Sequence, residues 1–124
     1  MKILGLESVT FGVDDRATAR RFWNDFGLSE VENGADGAVF ETREKATIVV
    51  RAIDDPDLAP APVEGNTARE FTWGLETQEE VDAIADELAR DHQIIRSDDG
   101  AVHAVDPVGY GIAFRVSRRI SVAP

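Results

Sequence analysis

A chain of 124 residues with 24 acidic and 13 basic side chains has a formal charge of −11, so it lacks the basic face that nucleic acid or an anionic membrane surface requires. The lack of cysteine removes disulfide frameworks and thiolate chemistry, and no apolar run is long enough for a signal peptide or a spanning helix; a cytoplasmic setting is expected. With 43% hydrophobic and 30% charged residues, the composition is that of one soluble globular domain.

The first segment, Ile3–Val13, alternates as a strand, with Val9, Phe11 and Val13 on one face and Ser8, Thr10 and Gly12 on the other. Asp14 or Asp15 supplies an N-cap carboxylate for a helix over about 15–26. Its Ala19, Phe22, Trp23 and Phe26 form one apolar stripe, and Gly27 stops it. Short strands follow near Leu28–Glu32, Gly37–Glu41 and Ala46–Ala52, with turns at Asn33-Gly34 and Thr42–Lys45. Asp54–Gly65 holds three of the five prolines and no periodicity, and reads as a linker. A strand at Arg69–Glu76 then leads to Thr77 and Glu80, a capping-box pair that opens a helix over about 77–90. Val81, Ile84, Ala85 and Leu88 give that helix its stripe, and strands near Gln93–Ser97, Ala101–Val105 and Gly111–Val116 complete the series. Residues 117–124 read as a tail or the start of a further linker.

The second half repeats the first. Val9 and Phe11 return as Phe71 and Trp73 at an offset of 62, as do the two helical stripes. "DGAVF" at Asp36–Phe40 returns as "DGAVH" at Asp99–His103 at 63, and "IVVR" at Ile48–Arg51 as "IAFR" at Ile112–Arg115 at 64. Loops absorb such drift while elements do not. The expected fold is therefore α+β: two βαβββ units with pseudo-twofold symmetry, forming a curved mixed sheet around a cavity. Unit one is 1–53, the linker 54–66, unit two 67–117 and the tail 118–124. Alternation places Ser8, Thr10, Val49, Arg51, Glu70, Thr72, Ala113 and Arg115 on the inner side. Phe40 and His103 join them if the third and seventh strands keep the same sense.

"LESVTFGVDDRATARRFWNDFGL" resembles the opening of the vicinal oxygen chelate superfamily, which includes glyoxalases, bleomycin-resistance proteins and extradiol dioxygenases. "HAVDPVGYGIAFRV" resembles its closing turn and strand, and the likeness covers essentially the whole chain. In metal-dependent members, His or Gln on the first strand of a unit and Glu on the last hold a divalent ion, which chelates adjacent substrate oxygens. The resemblance puts Ser8 and Glu70 at the first-strand positions, and Val49 and Ala113 at the closing ones. One carboxylate falls short of the three or so protein ligands a catalytic metal requires, so no metal and no cofactor is expected.

Two readings follow from the resemblance. One is a non-catalytic half of an extradiol-dioxygenase-like protein; the other is a domain that binds a small aromatic or anionic molecule. The alternative is a metal-dependent dioxygenase or lyase whose ion is held by Glu70, His103 and water, or by a partner chain. A homodimer or a partner domain is expected in any of these cases.

Single residues keep two readings each. His103 is a ligand contact or proton-transfer group, or a half-buried strand histidine. Glu70 pairs with Arg115 or Arg51, or touches a ligand. Arg51 and Arg115 occupy equivalent positions; they clamp a carboxylate or phenolate, or end their strands at solvent. Trp23 and Trp73 are core. No Gly-x-Ser-x-Gly elbow, Cys–His pair or phosphate loop is present, so nucleophilic and phosphoryl-transfer chemistry has no support.

Overall fold

A computed structural model of the chain describes residues 3–34 and 37–122. Asp36, the first residue of one repeated motif, lies outside them. The elements are β1 (Ile3–Val13), α1 (Arg16–Phe26), β2 (Ser29–Gly34), β3 (Gly37–Glu41), β4 (Thr47–Ala52), β5 (Thr67–Leu75), α2 (Gln78–Ala89), β6 (Ile95–Arg96), β7 (Val102–Val105) and β8 (Gly111–Val116). Both helix starts are capped as expected. The Asp15 carboxylate accepts from Thr18 N at 3.1 Å, and the Thr77 hydroxyl accepts from Glu80 N at 3.2 Å. Gly27, at φ 111°, closes α1 in the left-handed region that glycine tolerates. No helix among the described residues is long and apolar enough to cross a membrane.

The strands form one sheet in the order β2-β3-β4-β1-β5-β8-β7-β6. β1 runs parallel to β4 and β5 parallel to β8, while β1 and β5 meet antiparallel at the centre. The central register shows the duplication directly. Ser8 pairs with Thr72, Val9 with Phe71 and Thr10 with Glu70, a set that maps onto itself when the two units are exchanged. The pseudo-twofold axis therefore passes beside Val9 and Phe71, and the expected pair of βαβββ units is present.

Two cores lie on the helix side of the sheet. In unit two, Val81, Ile84 and Ala85 of α2 are buried against Leu75, Val102 and Phe114, with Trp73 packed alongside. In unit one, Ala38, Phe40 and Val50 are buried, with Ala19, Trp23 and Ile48 against them. Both tryptophans are partly buried and pack against these cores.

Two expectations change in the structure. Phe40 does not face the cavity; it is fully buried (0% exposed) beneath α1. Val39 pairs with Val49 just as His103 pairs with Ala113, so the structural equivalent of His103 is Val39, at an offset of 64. The shared Asp-Gly-Ala-Val letters align the units one residue off, because the drift falls in the turn before β3. A one-residue slip reverses the face of every side chain in a strand.

The stripe of α1 is only half covered. Ala19 and Trp23 pack on the sheet, but Phe22 and Phe26 stay 57% and 66% exposed, stacked on one another and edge-on to Trp23. Their counterparts in α2 sit lower because small Ala85 occupies the place of bulky Trp23. Side-chain size at the contact sets how near a helix approaches.

The linker and the described part of the tail, which ends at residue 122, both lie against the sheet. Ser117 N donates to Leu75 O at 2.8 Å and Ile120 N to Glu44 O at 2.9 Å, so the segment after β8 straps unit two to unit one. The linker crosses close to the inner face: a Cβ added at Gly12 would collide with Leu58, and one at Gly111 with Ala59.

Candidate functional site

The inner face of the central strands, walled on one side by the linker, forms an open cavity of about 300 Å³. Ser8, Thr10, Val49, Arg51, Glu70, Thr72, His103, Ala113 and Arg115 all line it, which leaves Phe40 as the one expected residue that does not. Asp57, Leu58, Ala59, Asp99 and Ala101 complete the wall. These five come from the linker and the β6–β7 turn, where strand alternation carries no signal.

The positions equivalent to chelating ones carry no chelating set. Ser8 Oγ accepts a hydrogen bond from Thr47 Oγ1 at 2.7 Å, Val49 and Ala113 offer only alkyl groups, and the Glu70 carboxylate is bonded to His103. Among the described residues, no group of three or more His, Cys, Asp or Glu side chains converges as metal ligands would. This donor set does not fit a catalytic divalent ion, which takes about three protein ligands.

The partner of Glu70 is His103, not either arginine. Nδ1 of His103 lies 2.9 Å from Glu70 Oε2, and Nε2 lies 3.0 Å from Ser97 Oγ. Ser97 in turn donates to the Asp99 carboxylate, which can only accept. The imidazole thus bridges the Glu70 carboxylate and the Ser97 hydroxyl. The hydrogen bond to Glu70 raises the imidazole pKa above its ordinary value; burial opposes this, and the negative charges of Glu70 and Asp99 reinforce it.

A raised folded-state pKa stabilises the fold fully below the unfolded value of about 6.5, and that stability is lost as pH rises through the folded value. The NMR titration of the His103 ring is therefore expected to have a midpoint above about 6.5. Glu70→Gln should lower it. A wild-type midpoint at or below the unfolded value would disprove the network.

The two arginines have different fates. Arg51 is held by Asp55, with Nε at 2.7 Å and a second nitrogen at 2.6 Å from Oδ2. The pair joins the end of β4 to the turn after it, where strand alternation carries no signal. Arg115 is held less closely. Its Nε is buried with no hydrogen-bond acceptor among the described residues, and the nearest carboxylate, Glu7, lies 3.7 Å from a terminal nitrogen. Burial depresses the Arg115 pKa, with the nearby Arg118 charge adding to the effect.

Glu7 is the residue that sequence reasoning missed. It is the bulge residue between the Leu6 and Ser8 pairings of β1, and its side chain is completely buried. Its carboxylate accepts from Ser117 Oγ at 2.6 Å, Arg118 N at 2.9 Å and Arg119 Nε at 2.7 Å. A Cβ at Gly74 would collide with it, so the carboxylate rests where only glycine leaves room.

No family model matches the chain, and no curated protein matches it. Solved structures do resemble it. Homoprotocatechuate 2,3-dioxygenase from Brevibacterium fuscum, as its E323L mutant, aligns with a TM-score of 0.75 at 20% identity over 97% of this chain and 34% of its own. The enzyme of the same name from Arthrobacter globiformis gives 0.73 at 20% identity over 97% and 38%. A Mn(II)-bound glyoxalase from Novosphingobium aromaticivorans gives 0.68 at 16% identity over 97% and 43%. The chain thus spans between a third and a half of the proteins it matches, and at these identities the likeness is one of fold.

Proposed function

From a chain with the fold of the vicinal oxygen chelate superfamily, shared with those dioxygenases and that glyoxalase, we propose a domain that binds a small molecule in the inner-face cavity without a chelated metal. One observation carries the reading. At the chelating positions stand a hydroxyl bonded to a hydroxyl, two alkyl side chains and a carboxylate already bonded to an imidazole. The site therefore recognises a ligand by hydrogen bonds from Ser8, Thr10 and Thr72 and by contact with Val49, Leu58 and Ala113, the mix of apolar wall and few polar groups that ligand pockets use. A partner-completed metal enzyme would first have to detach Glu70 from His103.

The expected result with Mn²⁺ or Fe²⁺ is no change in melting temperature, whereas a ligand at about a hundred times its Kd adds roughly 2.7 kcal/mol of stability. Saturable binding of one metal ion per chain, abolished by Glu70→Gln, would overturn the proposal.

A second reading has its own support. The chain spans only about a third of the dioxygenase chains, and the exposed Phe22 and Phe26 face of α1 is uncovered where its counterpart on α2 is closed. Both features suit a non-catalytic part of a larger dioxygenase-like assembly, packed through α1.

A further inference from the structure

We infer that the cavity takes a small organic acid bearing one carboxylate, anchored on Arg115; the inference rests on the binding reading above. Three basic side chains line the cavity: Arg51, His103 and Arg115. Arg51 is neutralised by Asp55, and both ring nitrogens of His103 are occupied. Arg115 is the least satisfied of the three: its Nε has no acceptor among the described residues, and its ion pair with Glu7 is long. Its neighbour Glu7 is already taken up by Ser117, Arg118 and Arg119, which leaves Arg115 at 3.7 Å, beyond hydrogen-bonding distance.

The duplication explains the difference between the two arginines. Arg51 and Arg115 are equivalent, pairing with Gly12 of β1 and Gly74 of β5. Four residues on, unit one has Asp55 and unit two has Arg119. The carboxylate that satisfies the first guanidinium is thus replaced by a second cation, and Arg115 is left with the long contact to Glu7 and an Nε without an acceptor among the described residues. With its side chain only 18% exposed, Arg115 is largely out of water, where a carboxylate bonded to the guanidinium fork gains most.

Charge and size narrow the ligand. Asp57, Glu70 and Asp99 also line the cavity, so each further negative charge on a ligand meets carboxylates without gaining another guanidinium; this favours a monoanion over a dianion. About 300 Å³ lies at the small end of ligand pockets, and Val49, Leu58 and Ala113 give the body of the molecule an apolar surface.

The test compares benzoate, its neutral isostere benzamide and inorganic phosphate on the full chain, by calorimetry and by NMR shifts at Thr72 and Ala113. Benzoate should bind in the cavity at least about tenfold more tightly than benzamide or phosphate, and Arg115→Gln should weaken benzoate by about 10- to 100-fold, the range for a charged hydrogen bond. Arg51→Gln should change it by less than about threefold. If Arg115→Gln fails to fold, Arg115→Lys keeps the charge without the fork and should still lose most of the affinity. Benzamide binding as well as benzoate, or tighter phosphate, would overturn the carboxylate anchor and leave the binding reading intact. If all three probes and a neutral fragment collection leave the Thr72 and Ala113 signals unmoved, both fall.

Discussion

Glu7→Ala is expected to lower the unfolding free energy by about 3–5 kcal/mol, the usual cost of removing one partner from a buried ionic cluster. Glu7 is 0% exposed and joins the first strand to the segment after the last, through Ser117, Arg118 and Arg119. Its loss strands the Arg119 guanidinium over Gly5 and removes the carboxylate that ion-pairs with Arg115. For a domain of this size, the melting temperature should fall by roughly ten to twenty degrees. Glu7→Gln keeps the shape and part of the hydrogen bonding, so it should cost less.

The pH dependence of this cluster follows from the same contacts. Burial alone would raise the Glu7 pKa, but the hydrogen bonds from Ser117, Arg118 and Arg119 outweigh it and hold the carboxyl below its ordinary value. A depressed folded-state pKa gives stability that is present above the unfolded value of about 4.3 and lost as pH falls through the folded one. Thermal melts between about pH 3 and 7 should therefore show a steeper acid loss in wild type than in Glu7→Gln. Equal melting temperatures for wild type and Glu7→Ala at neutral pH would refute the role given to this carboxylate.

Phe40→Ala should cost about 3–5 kcal/mol in denaturant unfolding, as large aromatic truncations in cores do. The neighbouring Val39→Ala should cost less than about 1.5 kcal/mol, because Val39 is on the inner face and only partly buried. The pair reads out the register of β3 directly. Were β3 shifted by one residue, as the repeated letters suggest, Val39 would be the core residue and the order of the two costs would invert. Ligand binding in the cavity should be unaffected by Phe40→Ala, since the side chain lies across the sheet from it.

The amino-acid sequence by itself determined what depends on local period. Alternation in Ile3–Val13, Thr47–Ala52, Thr67–Leu75 and Gly111–Val116 sorted side chains between the two faces of the sheet, and eight inner positions were legible from it. The caps Asp15, Gly27 and Thr77 bounded the helices because capping is a contact between residues a few apart. The duplication supplied the pairing of units, since equivalent segments must meet across the axis.

Only the tertiary structure decided matters set between distant residues. Phe40 went beneath α1 because strand register follows cross-strand pairing and turn length rather than shared letters. The half-covered stripe of α1 was decided by the bulk of Trp23 against a sheet the helix pattern does not describe. Partner choice among the charges was decided the same way: Glu70 had two arginines available on paper, but the β5–β8–β7 register brought it to His103. Glu7 gave no periodic signal, because a bulge turned it inward and its partners are more than a hundred residues away. Hydrogen bonds and ion pairs act over a few ångströms, so which charge meets which is known only once the chain has brought them within that distance.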